Sequence, residues 1–228
     1  YAYMASKIAL ENLTPVILLT DAFIGNGASL WKLPKLSDMP EIKPHYAPES
    51  LKDNFNGLSR DEQTKIRYWA IPSTEGFEHR VGGLERNYNT GVISTEGANH
   101  AKMVATRAFK VQNIAKQLPL LEVEGDASAD TLVIGWGSTR GHLQSAVAEL
   151  NKRGKRTAHL HFNYINPLPS NAEELIRRYK KVIVCELNSG QFAGYLRSKI
   201  HGVDFLQVNK IEGQPFSIEE LVEHIEKL

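Results

Sequence analysis

Three stretches of this chain hold residue types and spacings suited to chemistry. The first is Gly135-Trp136-Gly137-Ser138-Thr139-Arg140-Gly141, which follows a β-branched run and precedes a helical pattern. A strand, a glycine turn and a helix start together present free N–H groups and a positive dipole end to an anion, which makes Gly137, Ser138 and Thr139 candidates for an anion-facing or interface turn. The spacing departs from the dinucleotide fingerprint G-x-G-x-x-G, because the third glycine comes one residue late. No Lys-Ser/Thr follows, so the turn is not a P-loop either. The competing reading is a tight turn packed at a subunit interface. The second stretch is Glu186-Leu187-Asn188-Ser189-Gly190-Gln191 at the carboxyl end of another apolar run. Open α/β sheets collect ligands there, so Glu186, Asn188 and Gln191 are candidates to meet a partner; alternatively Glu186 and Asn188 cap the next helix. The third is the glycine-rich loop from Glu75 to Gly91, where Glu78, His79, Arg80 and Glu85 combine acid, base and guanidinium groups. Such a loop is a candidate active-site lid, and it also has the content of any solvated connection.

Two further groups call for bland readings. His159 and His161 stand two apart on one strand and share a face, but no third ligand is near in sequence, so core or interface histidines are expected and no metal site. Cys185 lies in a β-branched run and reads as a small buried hydrophobe. One cysteine excludes an internal disulfide framework and an iron–sulfur cluster held by this chain's cysteines alone.

The elements that must position these residues are clearest after Leu120. A strand at 131–136 leads to a helix with Leu143, Ala146, Val147 and Leu150 on one face. A strand follows from Arg156 to Phe162, then a short helix with Leu175, Ile176 and Tyr179. The strand at 182–187 leads to a helix carrying Phe192, Tyr195, Leu196 and Ile200, and a fourth strand spans Asp204 to Val208. Ser217-Ile218-Glu219-Glu220 is a capping box before the apolar series Ile218, Leu221, Val222 and Ile225. Alternation of this kind predicts an α/β fold: a three-layer α/β/α, doubly wound, mostly parallel sheet of four parallel strands with one reversed. Upstream, residues 1–12 read as an amphipathic helix, which opens in mid-pattern as a fragment of a longer protein would. Val16-Ile17-Leu18-Leu19-Thr20 reads as a strand buried on both faces. Four prolines between Pro34 and Pro48 mark an extended arm, and Ser59-Arg60-Asp61-Glu62 is a second, weaker capping box. Residues 99–117 read as a helix whose apolar stripe is Val104, Ala108, Val111, Ala115 and Leu118.

Composition excludes other classes. Hydrophobic residues make up 42% and charged residues 23%, ordinary for a globular protein. The formal net charge of +1 gives no electrostatic case for nucleic acid or an acidic membrane, and no apolar run approaches the roughly 20 residues of a bilayer span.

Taken in order, Pro15–Thr20, Gly76-Phe77-Glu78-His79-Arg80, Thr90-Gly91, Asn99-His100 with Met103 and Arg107, and Gly135-Trp136-Gly137 resemble the α subunit of 2-oxoacid:ferredoxin oxidoreductases. Asn163-Tyr164-Ile165-Asn166-Pro167-Leu168-Pro169 and Glu186–Phe192 extend the resemblance over nearly the whole chain, closest to the 2-oxoglutarate type. It implies that residues 1–45 end a thiamine-pyrimidine-binding domain. Residues 46–119 then supply a linker, the glycine-rich loop and a connecting helix, and 120–228 form a transketolase C-terminal-like domain. The implied reaction is thiamine-dependent oxidative decarboxylation of a 2-oxoacid to acyl-CoA, with electrons passed to ferredoxin in the cytoplasm. Thiamine diphosphate, Mg²⁺ and a [4Fe–4S] cluster belong to the full enzyme and its β subunit, coenzyme A is a substrate, and this fragment binds no cofactor and holds no catalytic residue by itself. The β subunit is the expected partner, ferredoxin is met through the complex, and a homodimer is compatible with the resemblance. Two other readings stay open at this point: a non-catalytic assembly module and a nucleotide-binding doubly wound domain. Pyruvate or a branched-chain 2-oxoacid is the alternative substrate.

Overall fold

The computed structural model describes every residue except Val81 and Ala127. In chain order its elements are α1 (Ala2–Asn12), α2 (Ala22–Asn26), α3 (Gly97–Ile114), β1 (Val123–Gly125), β2 (Thr131–Trp136), α4 (Arg140–Lys152), β3 (Thr157–Phe162), α5 (Ala172–Ile176), β4 (Lys181–Glu186), α6 (Gln191–Lys199), β5 (Phe205–Asn209) and α7 (Ile218–Lys227). They divide into two compact units. One holds residues 1–18 and 30–117; the other holds 19–29 and 118–228. The stretch read as linker, loop and connecting helix is therefore folded together with α1, while the short segment carrying α2 joins the sheet unit.

The sheet unit is the expected three-layer α/β/α fold. Its five strands run in the order β1-β3-β2-β4-β5, with β1 antiparallel to β3 and every other pair parallel. Val133 opposes both His159 and Ile183, so β2 lies at the centre with both edges paired. Side chains of successive strand residues point to opposite faces. Leu132, Ile134, Val182 and Val184 consequently join Ala172, Ile176, Phe192, Ala193, Leu196 and Ile200 in one core, formed with α5 and α6. Val133, Ile183 and Cys185 join Leu143, Val147, Leu150, Leu221, Val222 and Ile225 in the other, formed with α4 and α7. Helices on both faces explain why these strands are apolar throughout rather than alternating. The capping box at Ser217 forms as read: Ser217 Oγ accepts the Glu220 N–H at 3.1 Å, and Glu220 Oε2 accepts the Ser217 N–H at 3.2 Å.

Upstream of β1 the chain departs from the sequence reading in three places. Residues 16–20 form no strand; Ile17 is 83% exposed and Leu19 61%. A strand is stable only beside another, and among the described residues none pairs with this run, so its apolar character does not suffice. The box at Ser59 starts no helix: Asp61 Oδ1 instead accepts the backbone N–H groups of Gln63 and Thr64, at 3.1 and 2.7 Å, and folds the chain into a turn. The helix read at 99–117 forms as α3, but it buries Asn99, Met103 and Ile114, while Val104 is 45% exposed. The stripe is rotated because Asn99 carries the hairpin that precedes it, accepting the Tyr88 N–H at 2.8 Å and donating to the Arg86 carbonyl at 3.0 Å.

Candidate functional site

The carboxyl ends of β2 and β4 are adjacent at the centre of the sheet, where a doubly wound fold opens its ligand crevice. Here the crevice is closed from within. Glu186 is fully buried, and its carboxylate accepts the N–H groups of Phe192 at 2.8 Å and Ala193 at 2.9 Å, the first residues of α6 after Gln191. The Trp136 indole N–H donates to the same carboxylate at 3.2 Å. Asn188 Oδ1 accepts from the N–H groups of Gly190 and Gln191 at 2.8 and 2.9 Å. Both side chains thus cap α6, which corrects the expectation that Glu186 faces a partner: a carboxylate this deep is held only because three donors converge on it. Gln191 is exposed.

The glycine turn is also turned inward. Thr139 is buried, and its hydroxyl accepts the Trp136 N–H at 3.1 Å while donating to the Trp136 carbonyl at 2.9 Å. Gly137 has φ of +61°, a left-handed conformation open to glycine at little cost. A side chain at Gly135 would collide with Leu143 Cδ1 of α4 and come within 2.6 Å of Thr139 Oγ1. Gly135 therefore serves helix–strand packing, and Gly137 serves the turn. Ser138 is half-buried, and the anion it meets is the chain's own: its hydroxyl donates to the Asp21 carboxylate, which also caps α2 by accepting the Ile24 N–H. The Thr139 hydroxyl is therefore not free to bind a nucleotide phosphate.

His159 is 1% exposed and its ring stands 5.8 Å from that of His161. The His159 Nδ1 is 3.6 Å from Glu124 Oε2, beyond hydrogen-bond reach, and both its ring nitrogens are unpaired. Burial, then the neighbouring His159 and Arg140, pushes the His161 pKa down to about 4; burial also pushes His159 down. Neutral rings in the core agree with the bland reading. Among the described residues no group of three or more His, Cys, Asp or Glu is arranged for a metal. Cys185 is fully buried and burial pushes its thiol pKa up, so it is no thiolate ligand, and a [4Fe–4S] cluster does not fit the residues of this chain.

The loop residues part company. The His79 ring packs edge-on against Phe55 at 5.0 Å with Nδ1 2.9 Å from the Phe77 carbonyl, and Glu78 accepts the Gly76 N–H at 2.9 Å. Arg80 and Glu85 line a cavity of about 410 Å³; Val81, between them, lies outside the described residues. The loop is anchored at both ends: Phe77 is buried on one side, and Arg86 and Ile93 form an antiparallel bridge on the other. Buried Phe77 and Tyr88 and the side chain of Asn99 fix it.

Most of the cavity's character comes from residues the sequence reading did not single out for it. Arg60, Lys65, Arg67, Arg86, Arg107 and Lys110 line it together with Arg80, and Glu85 is the one acid in the lining. Arg60 and Arg67 are brought face to face by the turn that Asp61 caps, as partners in an antiparallel bridge. Met103, Arg107 and Lys110 follow the i, i+4, i+7 spacing of one face of α3. The available signal was the recurrence of basic residues at 60, 65 and 67 and at 107 and 110, which an overall charge near zero conceals.

Residues 129–221, which contain the sheet from β2 to β5, match the family model described as pyruvate:ferredoxin oxidoreductase core domain II. Over 221 residues, 96% of this chain and 33% of the relative, the chain is 42% identical to the 2-oxoglutarate oxidoreductase subunit KorA of Mycobacterium tuberculosis. It is 28% identical to subunit alpha of 2-oxoacid:ferredoxin oxidoreductase 1 from Aeropyrum pernix, over 98% of this chain and 36% of that protein. A solved 2-oxoglutarate:ferredoxin oxidoreductase from Magnetococcus marinus, with 2-oxoglutarate, coenzyme A and succinyl-CoA bound, superposes with a TM-score of 0.77 at 27% identity, covering 85% of this chain and 34% of that one. The chain thus spans about a third of the length of these relatives. The resemblance read from the sequence motifs is borne out.

Proposed function

We propose, from its similarity over nearly its full length to α subunits of 2-oxoacid:ferredoxin oxidoreductases, that this chain is a portion of such a subunit. The reaction is cytoplasmic oxidative decarboxylation of 2-oxoglutarate to its acyl-CoA, with electrons passed to ferredoxin. The observation that carries the reading is the 42% identity to a 2-oxoglutarate oxidoreductase subunit, which covers both units and not the sheet alone. It favours 2-oxoglutarate over pyruvate or a branched-chain acid. Thiamine diphosphate, with Mg²⁺, supplies the carbanion stabilisation in such enzymes. The residues described here build a rigid scaffold beside that chemistry: the crevice at the centre of the sheet is filled by Trp136 and Glu186.

In this reading the chain's part is subunit docking, with a β subunit as the partner. Support comes from the segment that follows α2, where Leu30 is 104% exposed, Trp31 73%, Leu33 76% and Leu36 91%. Large apolar side chains crowded into one exposed stretch mark an interaction surface, and aromatic anchors such as Trp31 carry most of the energy of such surfaces. The test is co-purification of the α and β subunits together with 2-oxoglutarate- and coenzyme A-dependent reduction of ferredoxin. Leu33→Asp combined with Trp31→Ala is expected to weaken the complex and lower activity in proportion. Reduction of ferredoxin by pyruvate alone, or an undisturbed complex in the double variant, would refute the substrate or the docking role respectively.

A further inference from the structure

The cavity between the Asp61 turn, the glycine-rich loop and α3 has a charge content that folding alone does not explain. Burial pushes the pKa values of Arg60 and Arg67 down, and pushes Lys110 down to about 8, with Arg67 and Arg60 adding to the effect on the lysine. Among the described residues, Arg60, Arg67, Arg80, Arg86, Arg107 and Lys110 make no ion pair; Lys65 is paired, with Glu62 at 2.6 Å. Several of these cations are instead held by backbone carbonyls. Arg60 Nε donates to Leu58 at 3.0 Å, Arg67 Nη1 to Gly57 at 3.2 Å, Arg86 Nη1 to Gly91 at 3.2 Å and Lys110 Nζ to Leu13 at 2.7 Å. The Arg60 guanidinium also lies 4.1 Å over the Tyr88 ring. Such tethers orient a cation without cancelling its charge. The Arg60 Nη2 group is buried with no hydrogen-bond partner at all.

Like charges set opposite one another across an antiparallel pair destabilise it, and a buried N–H of a charged group left without an acceptor loses its hydration uncompensated. A chain that could relieve this with one nearby carboxylate has instead placed its single lining acid, Glu85, on His100 and Asn99, at 2.8 and 3.4 Å. The arrangement makes sense as the receiving half of an anion site.

We propose that this cavity binds a small ligand bearing two or more phosphate groups, with Arg60, Arg67 and Lys110 at its floor and Arg80, Arg86 and Arg107 around it. Three features select this class. The volume of about 410 Å³ lies within the range of small-molecule pockets and is a concavity rather than a stripe along a surface. The number of unpaired cations exceeds what one carboxylate or two would neutralise. Guanidinium forks match the oxygens of phosphate, donating to them in pairs of parallel hydrogen bonds. The site rests on charge and geometry within one unit, so its failure would leave the enzyme reading intact.

The experiment is calorimetric titration of the whole protein with inorganic pyrophosphate, and separately with succinate as a dicarboxylate of comparable size. Pyrophosphate is expected to bind, more weakly as salt is raised, and succinate to bind at least tenfold more weakly. Arg67→Gln and Lys110→Gln should each weaken pyrophosphate about tenfold or more, because each removes a charge-assisted contact, while Lys116→Gln, outside the lining, should not. Because Arg67→Gln also removes a buried like-charge repulsion, it should leave the melting temperature without ligand unchanged or raised, and should abolish the rise that pyrophosphate gives the wild type. Absence of pyrophosphate binding overturns the proposal. So does equal affinity for succinate. An Arg67→Gln protein that melts earlier but binds pyrophosphate as before would likewise overturn it, by showing the guanidinium to be structural.

Discussion

Removing the Glu186 carboxylate is the perturbation whose consequence the structure fixes most tightly. Glu186→Ala deletes an acceptor shared by Phe192 N–H, Ala193 N–H and the Trp136 indole. The two backbone donors open α6, and their own side chains are buried, Ala193 completely, so water has no easy route to replace the carboxylate. An exposed helix cap is worth about 1 kcal/mol. A hydrogen bond to a charged group is worth about 1.5–3 kcal/mol, and each buried donor left unpaired adds a desolvation cost of about 1–3 kcal/mol. Allowing for partial relaxation, the loss should be about 3–5 kcal/mol, a large fraction of the stability of an ordinary domain. Glu186→Gln keeps the shape but turns an NH₂ group toward donors, and should cost about 2 kcal/mol. Asn188→Ala removes two bonds at a more exposed turn and should cost about 1 kcal/mol. The assay is denaturant unfolding followed by tryptophan fluorescence, since Trp136 loses its partner in the same step. A change below about 1 kcal/mol for Glu186→Ala, or an equal effect of Asn188→Ala, would refute the argument that burial makes this cap expensive to lose.

Other consequences can be checked alongside it. His161 is held at about 4 by burial, then by His159 and Arg140, against 6.5 in the unfolded chain, so the unfolded state takes up a proton first. Stability should be full above pH 6.5 and fall as pH drops from 6.5 toward 4, and His161→Gln should flatten that slope in unfolding midpoints at pH 7.5 and 5. Glu124 is held at about 2 by hydrogen bonds from Gln144 and Arg140, so its contribution is present above pH 4.5 and lost as pH falls from there toward 2; Glu124→Gln should remove that lower part of the acid limb. Gly135→Ala should cost about 1–3 kcal/mol by overpacking against Leu143, with thermal melting as the measurement. Ser217→Ala, which breaks the capping box of α7, should cost about 1 kcal/mol in the same assay.

What the sequence determined by itself was the sheet unit. Runs such as Leu132–Ile134 and Val182–Val184 are apolar on both faces, and that pattern has one stable outcome, a sheet covered by helices on each side. The Ser217 box formed because the helix it opens buries Leu221, Val222 and Ile225, whereas the Ser59 box of the same spacing has no such helix behind it and is folded into a turn by Asp61. Tertiary structure decided the rest. Glu186 could have faced a partner or the start of α6, and only the burial of Phe192 and Ala193 beside it settled which. Residues 16–20 carry a strand's composition, yet pairing is a property of two segments, and no described segment pairs with them. The cationic cavity was hidden in a chain whose charges nearly balance. Its residues come from 60–67, 80–86 and 107–110, and only the turn that Asp61 caps, the hairpin that Asn99 holds and one face of α3 bring them to a common wall. Composition averages over distance, whereas an electrostatic site is made by proximity, and proximity is what the fold supplies.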